Sequence, residues 1–573
     1  MNQIRNPKPG EKSETRNPKS EGNPKSEVRK RPWRWVLPLC PPKLAANLTA
    51  IFEDEAKEVA SVRSAEPLPE SLAISAFGFR ISDFLRISDF GFRISLSLLL
   101  GGCAVGPNFK KPAAPEADRY TPAPVSTTEG ATNVMGGEPQ RFLNGTNISG
   151  EWWTLFHSRP LNALIERSLK ANPNLKAAQA ALRVARENVL VQKGAFYPSV
   201  AGSFSAARQK TASDLAPVPN NNEVNFDLFT PQVSVSYVPD VFGLNRRTVE
   251  SLKAQEAQAR FALAATHITL SANVVAAAIQ EASLREQIAA THQLIGISTN
   301  MLLIFRNQLA KGYVSRLDVA AQESQLAQVA ATLAPLRKQL AQQRDLLAAL
   351  SGGLPSQGLA EEFELSGLQL PEELPLSLPS QLVAQRPDVR QAEENLHAAS
   401  AQIGIAVANR LPNLMLTADI GTTALQAGQM FSSGTGFWTL AGTVAQPIFQ
   451  GGALLHKERA ARAAYVQAAE QYRGAVLAAF QNVADTLNAL EEDANALKAA
   501  AAAKEAANIT LDLARRQSQV GYAGYLVLLN AEQTYQQALL NLIQAQANRY
   551  ADTAALFLAL GGGWWNRGDL ARN

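Results

Sequence analysis

Cysteine, histidine and charge are all scarce in this chain of 573 residues. The two cysteines, Cys40 and Cys103, are too few and too differently placed for a disulfide framework or a paired-thiol metal site. The five histidines, His157, His267, His292, His397 and His456, are scattered, and no HExxH, GxSxG or P-loop pattern accompanies them. Nothing in the sequence therefore points to an enzyme, a metal centre or a cofactor. Charged residues make up 18% of the chain, below the roughly 25% of ordinary soluble domains, and 54 basic against 50 acidic residues leave a formal net charge of only +4. That balance builds no field for nucleic acid, which we exclude as a partner. A transmembrane helix needs about 18 apolar residues, and the best candidate, Ile94 to Leu100, is short and broken by serine. A membrane-spanning form of this chain would have to cross as a β-barrel. Proline is missing from two long stretches, 244–334 and 451–573, although it is common elsewhere.

The first 78 residues read as a disordered or mis-annotated extension. They repeat Asn-Pro-Lys at Asn6, Asn17 and Asn23 among Ser, Glu and Arg, a composition that buries no core. A second, unrelated repeat follows (Phe79-Arg80-Ile81-Ser82-Asp83-Phe84, then Leu85-Arg86-Ile87-Ser88-Asp89-Phe90), and such a start suggests a translation origin placed too far upstream. Residues 79–102 have the order of a secretory signal: Arg80, Arg86 and Arg93, then the apolar Ile94 to Leu100, then Gly101-Gly102. The ending Leu100-Gly101-Gly102-Cys103 resembles a bacterial lipobox, which implies that Cys103 carries a lipid and becomes the mature N-terminus. The other reading of Cys103 is a buried cysteine after a short strand. Cys40 follows a bulky leucine and a poor apolar run. Ala104 stands where an aspartate would resemble the inner-membrane retention signal, so outer-membrane sorting is implied. Residues 103–159 then form a proline-rich, extended N-terminal segment.

The body of the chain occurs twice. Asn172-Pro173-Asn174-Leu175 answers to Arg386-Pro387-Asp388-Val389, and Tyr197-Pro198-Ser199 to Leu411-Pro412-Asn413, both at an offset of 214; Gly312-Tyr313 parallels Gly521-Tyr522 at an offset of 209. The repeats are placed at 160–354 and 376–563, with a linker at 355–375 and a tail at 564–573. Each reads as helix, two strands, then very long helix. Apolar positions such as Leu164, Leu169, Leu182 and Val189 predict one helix from 161 to about 194. In residues 232–238, 414–420 and 438–444 apolar and polar residues alternate at period 2, which fits a membrane barrel strand and, equally, a half-buried soluble sheet.

The helices decide between these. A continuous helix over 244–309 runs about 100 Å, which no compact domain needs. Gly312 and Gly521 fall where each long helix should turn back. Two strands per repeat give four per chain, and four strands in lipid leave unsatisfied edges. The fold class expected is therefore an α+β membrane protein: a trimeric, 12-stranded β-barrel continued by a long α-helical periplasmic barrel and built from an internal duplication.

The ordered set Cys103-Ala104-Val105-Gly106-Pro107-Asn108-Phe109, Trp152-Trp153-Thr154-Leu155-Phe156, Asn172-Pro173, Arg386-Pro387-Asp388-Val389 and Pro447-Ile448-Phe449 with Gly451-Gly452 resembles the TolC-like outer-membrane factors, in the lipoprotein branch that serves resistance-nodulation-division efflux. The resemblance spans about residues 95–562. It implies a homotrimer in the outer membrane that docks through a periplasmic adaptor on an inner-membrane efflux pump and passively conducts small toxic compounds. A duct for type I secretion and a non-channel periplasmic hairpin adaptor are the alternatives. In this family a Leu and an Asp one helical turn apart narrow the periplasmic end; the matching positions here are Leu526 and Asn530. The departure at Asn530 removes a carboxylate ring and leaves an apolar constriction at Leu526 as the implied gate.

Overall fold

The computed structural model describes residues 104–210, 225–520, 522 and 524–568. The extension, the signal segment, Cys40, Cys103 and Gly521 lie outside the described residues. In chain order the elements are strand β1 (Arg141–Asn144), helices α1 (Arg159–Ala171) and α2 (Pro173–Gly194), strands β2 (Ser199–Lys210) and β3 (Asn225–Tyr237), helices α3 (Leu244–Ala310) and α4 (Arg316–Leu350), strand β4 (Glu373–Leu376), helices α5 (Pro379–Gln385) and α6 (Pro387–Ala408), strands β5 (Asn413–Thr422) and β6 (Gly436–Ala445), and helices α7 (Ala453–Gln519) and α8 (Tyr525–Ala559).

The helix expected over 161 to about 194 is two helices, and the reason is local. Pro173 brings no N–H to the preceding turn and its ring drives the residue before it out of the helical region, so Asn172 takes ψ 125°. The Asn172 side chain then caps α2, accepting from the backbone N–H of Asn174 at 2.9 Å and of Leu175 at 3.3 Å. Arg386-Pro387 divides α5 from α6 in the same way. The long helix fares differently: α3 runs unbroken for 67 residues, about 100 Å, and α7 for another 67. Gly312 sits between α3 and α4 at φ +77°, a conformation that costs a glycine nothing, and Ser315 with Asp318 forms a capping box that starts α4.

Element lengths match between the halves. α2 and α6 have 22 residues each, and α4 and α8 have 35 each; α2 and α6 start 214 apart (Pro173, Pro387), while α3 and α7 (Leu244, Ala453) and α4 and α8 (Arg316, Tyr525) start 209 apart. Single bonds match as well. Asn172 Nδ2 donates to Leu350 O at 2.9 Å, and at the same offsets Arg386 Nη1 donates to Ala559 O at 2.7 Å.

The larger apolar cluster takes in α3 from Phe261, about 25 Å from the helix start, to Ala290. Trp152, Trp153 and Phe156 occupy a buried 3-10 turn there, with Trp152 stacked on Phe557 of α8 at 5.1 Å and Phe261 edge-on to Trp564 at 5.7 Å. The tryptophan motif is thus a packing element. β1 pairs in parallel with β4, which joins the N-terminal segment to the stretch between the halves, and Phe363, Leu365, Leu368 and Leu374 of that stretch are buried. One expectation needs correction: α3 contains a window long and apolar enough to cross a membrane, with 67% of it buried in the protein. Threonine, histidine and asparagine within residues 261–280 hide it from a search for uninterrupted apolar runs, and its side chains line this core.

Candidate functional site

β2, β3, β5 and β6 form one antiparallel sheet in the order β2-β3-β5-β6. Its register turns the period-2 pattern of single strands into whole rows. Val200, Val235, Ala418 and Leu440 stand side by side, and so do Gly202, Val233, Ile420 and Trp438. Between these lie Ala201, Ser234, Asp419 and Thr439, and beyond them Ser203, Gln232, Gly421 and Phe437. One face is therefore apolar across all four strands and the other mostly polar. The apolar face is bare: Trp438, Leu440, Val444, Val200 and Phe204 are all exposed. Among the described residues β2 and β6, of 12 and 10 residues, are the free edges of the sheet. Only the three later strands announce themselves by alternation; β2 does not, because Gly202 and Ala206 stand at its apolar positions.

Cys103 lies outside the described residues, but the chain just after it is firmly held. Val105 N–H donates to Phe242 O at 3.1 Å, in the connection between β3 and α3. Arg247, in the first turn of α3 and buried, donates from Nε to Val105 O at 3.0 Å and from Nη2 to Gly106 O at 3.2 Å and to Asn108 Oδ1 at 2.9 Å. Its charge is met by Glu250 at 2.7 Å. Gly106, at φ +95°, lies against Gly404 of α6 so closely that a Cβ would fall 2.4 Å from the Gly404 Cα. Phe109 stacks on His397 of α6 at 4.4 Å. The segment after Cys103 is thus clamped at the helix end of the sheet. Sequence reasoning missed Arg247, whose partners in the N-terminal segment are about 140 residues away and leave no local signal.

At the other end of the long helices a second apolar cluster joins Met301, Leu302 and Phe305 of α3, Val319 of α4, Leu511 and Ala514 of α7, and Leu528 and Ala531 of α8. Leu526 and Asn530 lie on α8 with their side chains exposed, while Leu528 and Ala531 point into the cluster. The two candidate residues therefore share a face turned away from the chain's own core. Tyr313, Leu317 and Tyr522 are exposed at the same tip. Inside it Glu532 is buried; burial pushes its carboxyl up, with Gln322 and Arg515 opposing.

Between α7 and α8, Asp493 faces Asp552. Burial, then the facing Asp552 carboxyl, pushes the Asp493 carboxyl up to about 7, against the pull of Arg549. Arg549 is fully buried and donates from Nη2 to Thr128 Oγ1 at 3.1 Å and to Glu138 O at 2.6 Å, tying the N-terminal segment to α8. In the unfolded chain an aspartate titrates near 3.8. Between there and about 7 the folded protein keeps a proton that the unfolded chain has released, so this site's contribution to stability is present at low pH and is lost as pH rises through that window. Asp493→Asn should remove the dependence: at pH 8 it should be more stable than the unmodified protein by about 1 kcal/mol after allowance for solvent screening, and so melt higher, and it should match it near pH 4. Thermal melts at both pH values check this, and an equal effect at pH 4 and 8 would refute the proton-sharing account.

The profile of the outer membrane efflux protein family matches residues 164–353 and 378–562. The pyoverdine export outer membrane protein OpmQ of Pseudomonas aeruginosa is 30% identical over 489 residues, which cover 83% of this chain and 98% of that protein. The probable outer membrane lipoprotein SilC of Salmonella typhimurium is 25% identical over 474 residues, 82% of this chain and 98% of its own length. Among solved structures, the outer-membrane channel OprN superposes with a TM-score of 0.71 at 26% identity, covering 81% of this chain and all of that one.

Proposed function

This chain belongs to the outer membrane efflux protein family, and from that premise we propose that three copies close a single 12-stranded barrel and continue it as an α-helical duct through the periplasm. The protein is an outer-membrane channel subunit of an efflux system, and its family consists of channels rather than enzymes. The observation that carries the trimeric reading is the sheet: apolar rows across four strands on one face, a mostly polar opposite face, and two edge strands with no further strand beside them among the described residues. In lipid an unpaired edge strand costs several kcal/mol for each unsatisfied backbone group, so four strands must find eight more. Three copies meet that need with an even number of strands and a water-filled lumen lined by the Ser203, Gln232 and Asp419 face. The matched lengths and offsets of the halves support an internal duplication, with the repeats at 160–354 and 376–563.

The lipid on Cys103 adds an anchor at the periplasmic edge of that barrel, a reading favoured by the clamped segment beside the sheet and by the lipoprotein relative SilC. Leu526 and Asn530 line the aperture at the far end. The exposed Tyr313, Leu317 and Tyr522 ring gives a periplasmic adaptor its apolar purchase, and through it an inner-membrane pump delivers small toxic molecules.

Purified protein in planar bilayers should give discrete conductance steps; trimers that insert and never conduct would refute the channel. The orientation of the sheet has its own test. Leu440→Lys, in an apolar row, should destabilise the barrel by about 2–4 kcal/mol, whereas Thr417→Lys, in a polar row, should assemble and only alter ion preference. Heat-modifiable migration on gels reads both, and equal damage from the two lysines would reject the assignment of faces.

A further inference from the structure

Followed away from the helices, the apolar face of the sheet ends in charge. The pairing of β2 with β3 runs without a bulge from Ser199 opposite Ser236 to Lys210 opposite Asn225, so side chains alternate strictly along both strands. On β2 the apolar face runs through Val200, Gly202, Phe204 and Ala206 to Arg208 and Lys210; Arg208 stands opposite Asp227 of β3. Among the described residues of the four strands, Arg208, Lys210 and Asp227 are the only charged side chains on that face, and the one other charge, Asp419, is on the polar face. All three lie where β2 and β3 outrun their neighbours: the pairing of β3 with β5 ends at Gln232 opposite Gly421, and only the bridge from Phe229 to Ala424 lies beyond. The chain between β5 and β6, at the same end, carries no charge.

Strand length gives the height of these charges. Tyr237, on the same face at the helix end of β3, is ten residues from Asp227, which is about 34 Å of strand at about 3.4 Å per residue. Tilted by about 40°, that length rises about 25 Å, the height of the apolar band of a membrane barrel. The band therefore closes at Arg208 and Asp227, and Lys210 stands about 5 Å higher, at the level of the outer-leaflet headgroups. A cation in the middle of the band would be costly, and at its edge it costs little. Arg208 Nη1 is 3.7 Å from Asp227 Oδ1, with the two side chains 78% and 42% exposed. A pair so long and so open holds the guanidinium weakly and leaves most of its donors to another acceptor.

We infer that Arg208 and Lys210 bind a phosphate carried by a glycolipid of the outer leaflet, one such site on the outer rim for each chain. The planar fork of Arg208 meets two phosphate oxygens at once, and Lys210, about 7 Å farther along the same face, adds a point charge. Two cations against one carboxylate leave the cluster positive, which complements a lipid phosphate. The acyl chains of that lipid then lie down the apolar rows below, over Phe204 and Val200, both of which are exposed. The assignment rests on the reading of the sheet as part of an outer-membrane barrel.

The test titrates purified particles in detergent with bis-phosphorylated lipid A and with the same lipid after dephosphorylation, reading retained lipid by native mass. The unmodified protein should retain the phosphorylated lipid, and the Arg208→Gln, Lys210→Gln double variant should bind it roughly tenfold or more weakly, no better than the dephosphorylated lipid. Asp227→Asn, which removes the competing carboxylate, should bind it more tightly. Arg208→Gln alone should weaken retention in the same direction, which guards against a double variant that fails to assemble. Inorganic phosphate, against chloride at matched ionic strength, should not displace the lipid; displacement would make this a site for free phosphate and overturn the lipid assignment. Equal retention by the unmodified and variant proteins, in particles that stay intact and conduct, would overturn the site while leaving the channel standing. Unmodified protein that forms no membrane-inserted particle would overturn both.

Discussion

Cys103→Ser should abolish incorporation of labelled palmitate, and Cys40→Ser should leave it unchanged. The expectation begins with Leu100-Gly101-Gly102-Cys103 after a basic and apolar leader. It is strengthened by the placement of Val105, whose N–H bonds to Phe242 O where β3 passes into α3. Two residues span at most about 7 Å, so a lipid on Cys103 leaves the chain within that reach of the junction where sheet gives way to helix. Each acyl CH₂ buried in the bilayer contributes about 0.8 kcal/mol, but the barrel has its own membrane affinity. The serine variant should therefore lose all label while still forming heat-modifiable particles. Label persisting in Cys103→Ser would reject the anchor.

On the proposal that Leu526 lines the aperture of a three-chain duct, Leu526→Ser should raise single-channel conductance several-fold, because three leucines around a narrow pore would exclude water and three serines would not. Asn530→Asp, one turn along the same exposed face, should install three carboxylates, increase cation preference, and make conductance depend on pH and on divalent ions. The sign follows from like charges: three close carboxylates raise one another's pKa, so acid should neutralise the ring and return the variant to the behaviour of Asn530. Both outcomes differ from those of a packing position, where a buried aspartate would mainly weaken the particle. Bilayer recordings decide, and unchanged conductance and selectivity in both variants, with particles intact, would remove these residues from the gate.

Much of the architecture was legible because its signals are local and long. Freedom from proline over 244–334 and the helical period mark α3 almost to the residue, and strict alternation marks β3, β5 and β6. Gly312 marks the turn it makes. The break at Asn172-Pro173 escapes a periodicity count because apolar positions continue in phase across it, and Pro173 ends α1 through its missing N–H and the ring that turns Asn172 out of the helix. The role of Trp152 and Trp153 was not legible as packing, since Phe557, the ring on which Trp152 stacks, is some 400 residues away. The same holds for Arg247, Arg549 and the carboxyl pair Asp493 and Asp552: each works through partners brought together by tertiary packing. Leu526 and Asn530 came from resemblance, and the fold adds that both face away from the core of their own chain.

The central claim is that an open four-stranded sheet is completed by identical copies. Native mass measurement of the processed protein released gently from outer membranes tests it most directly. The account predicts a dominant particle of three chains that collapses to single chains on boiling; a stable monomer, dimer or hexamer in its place would contradict it.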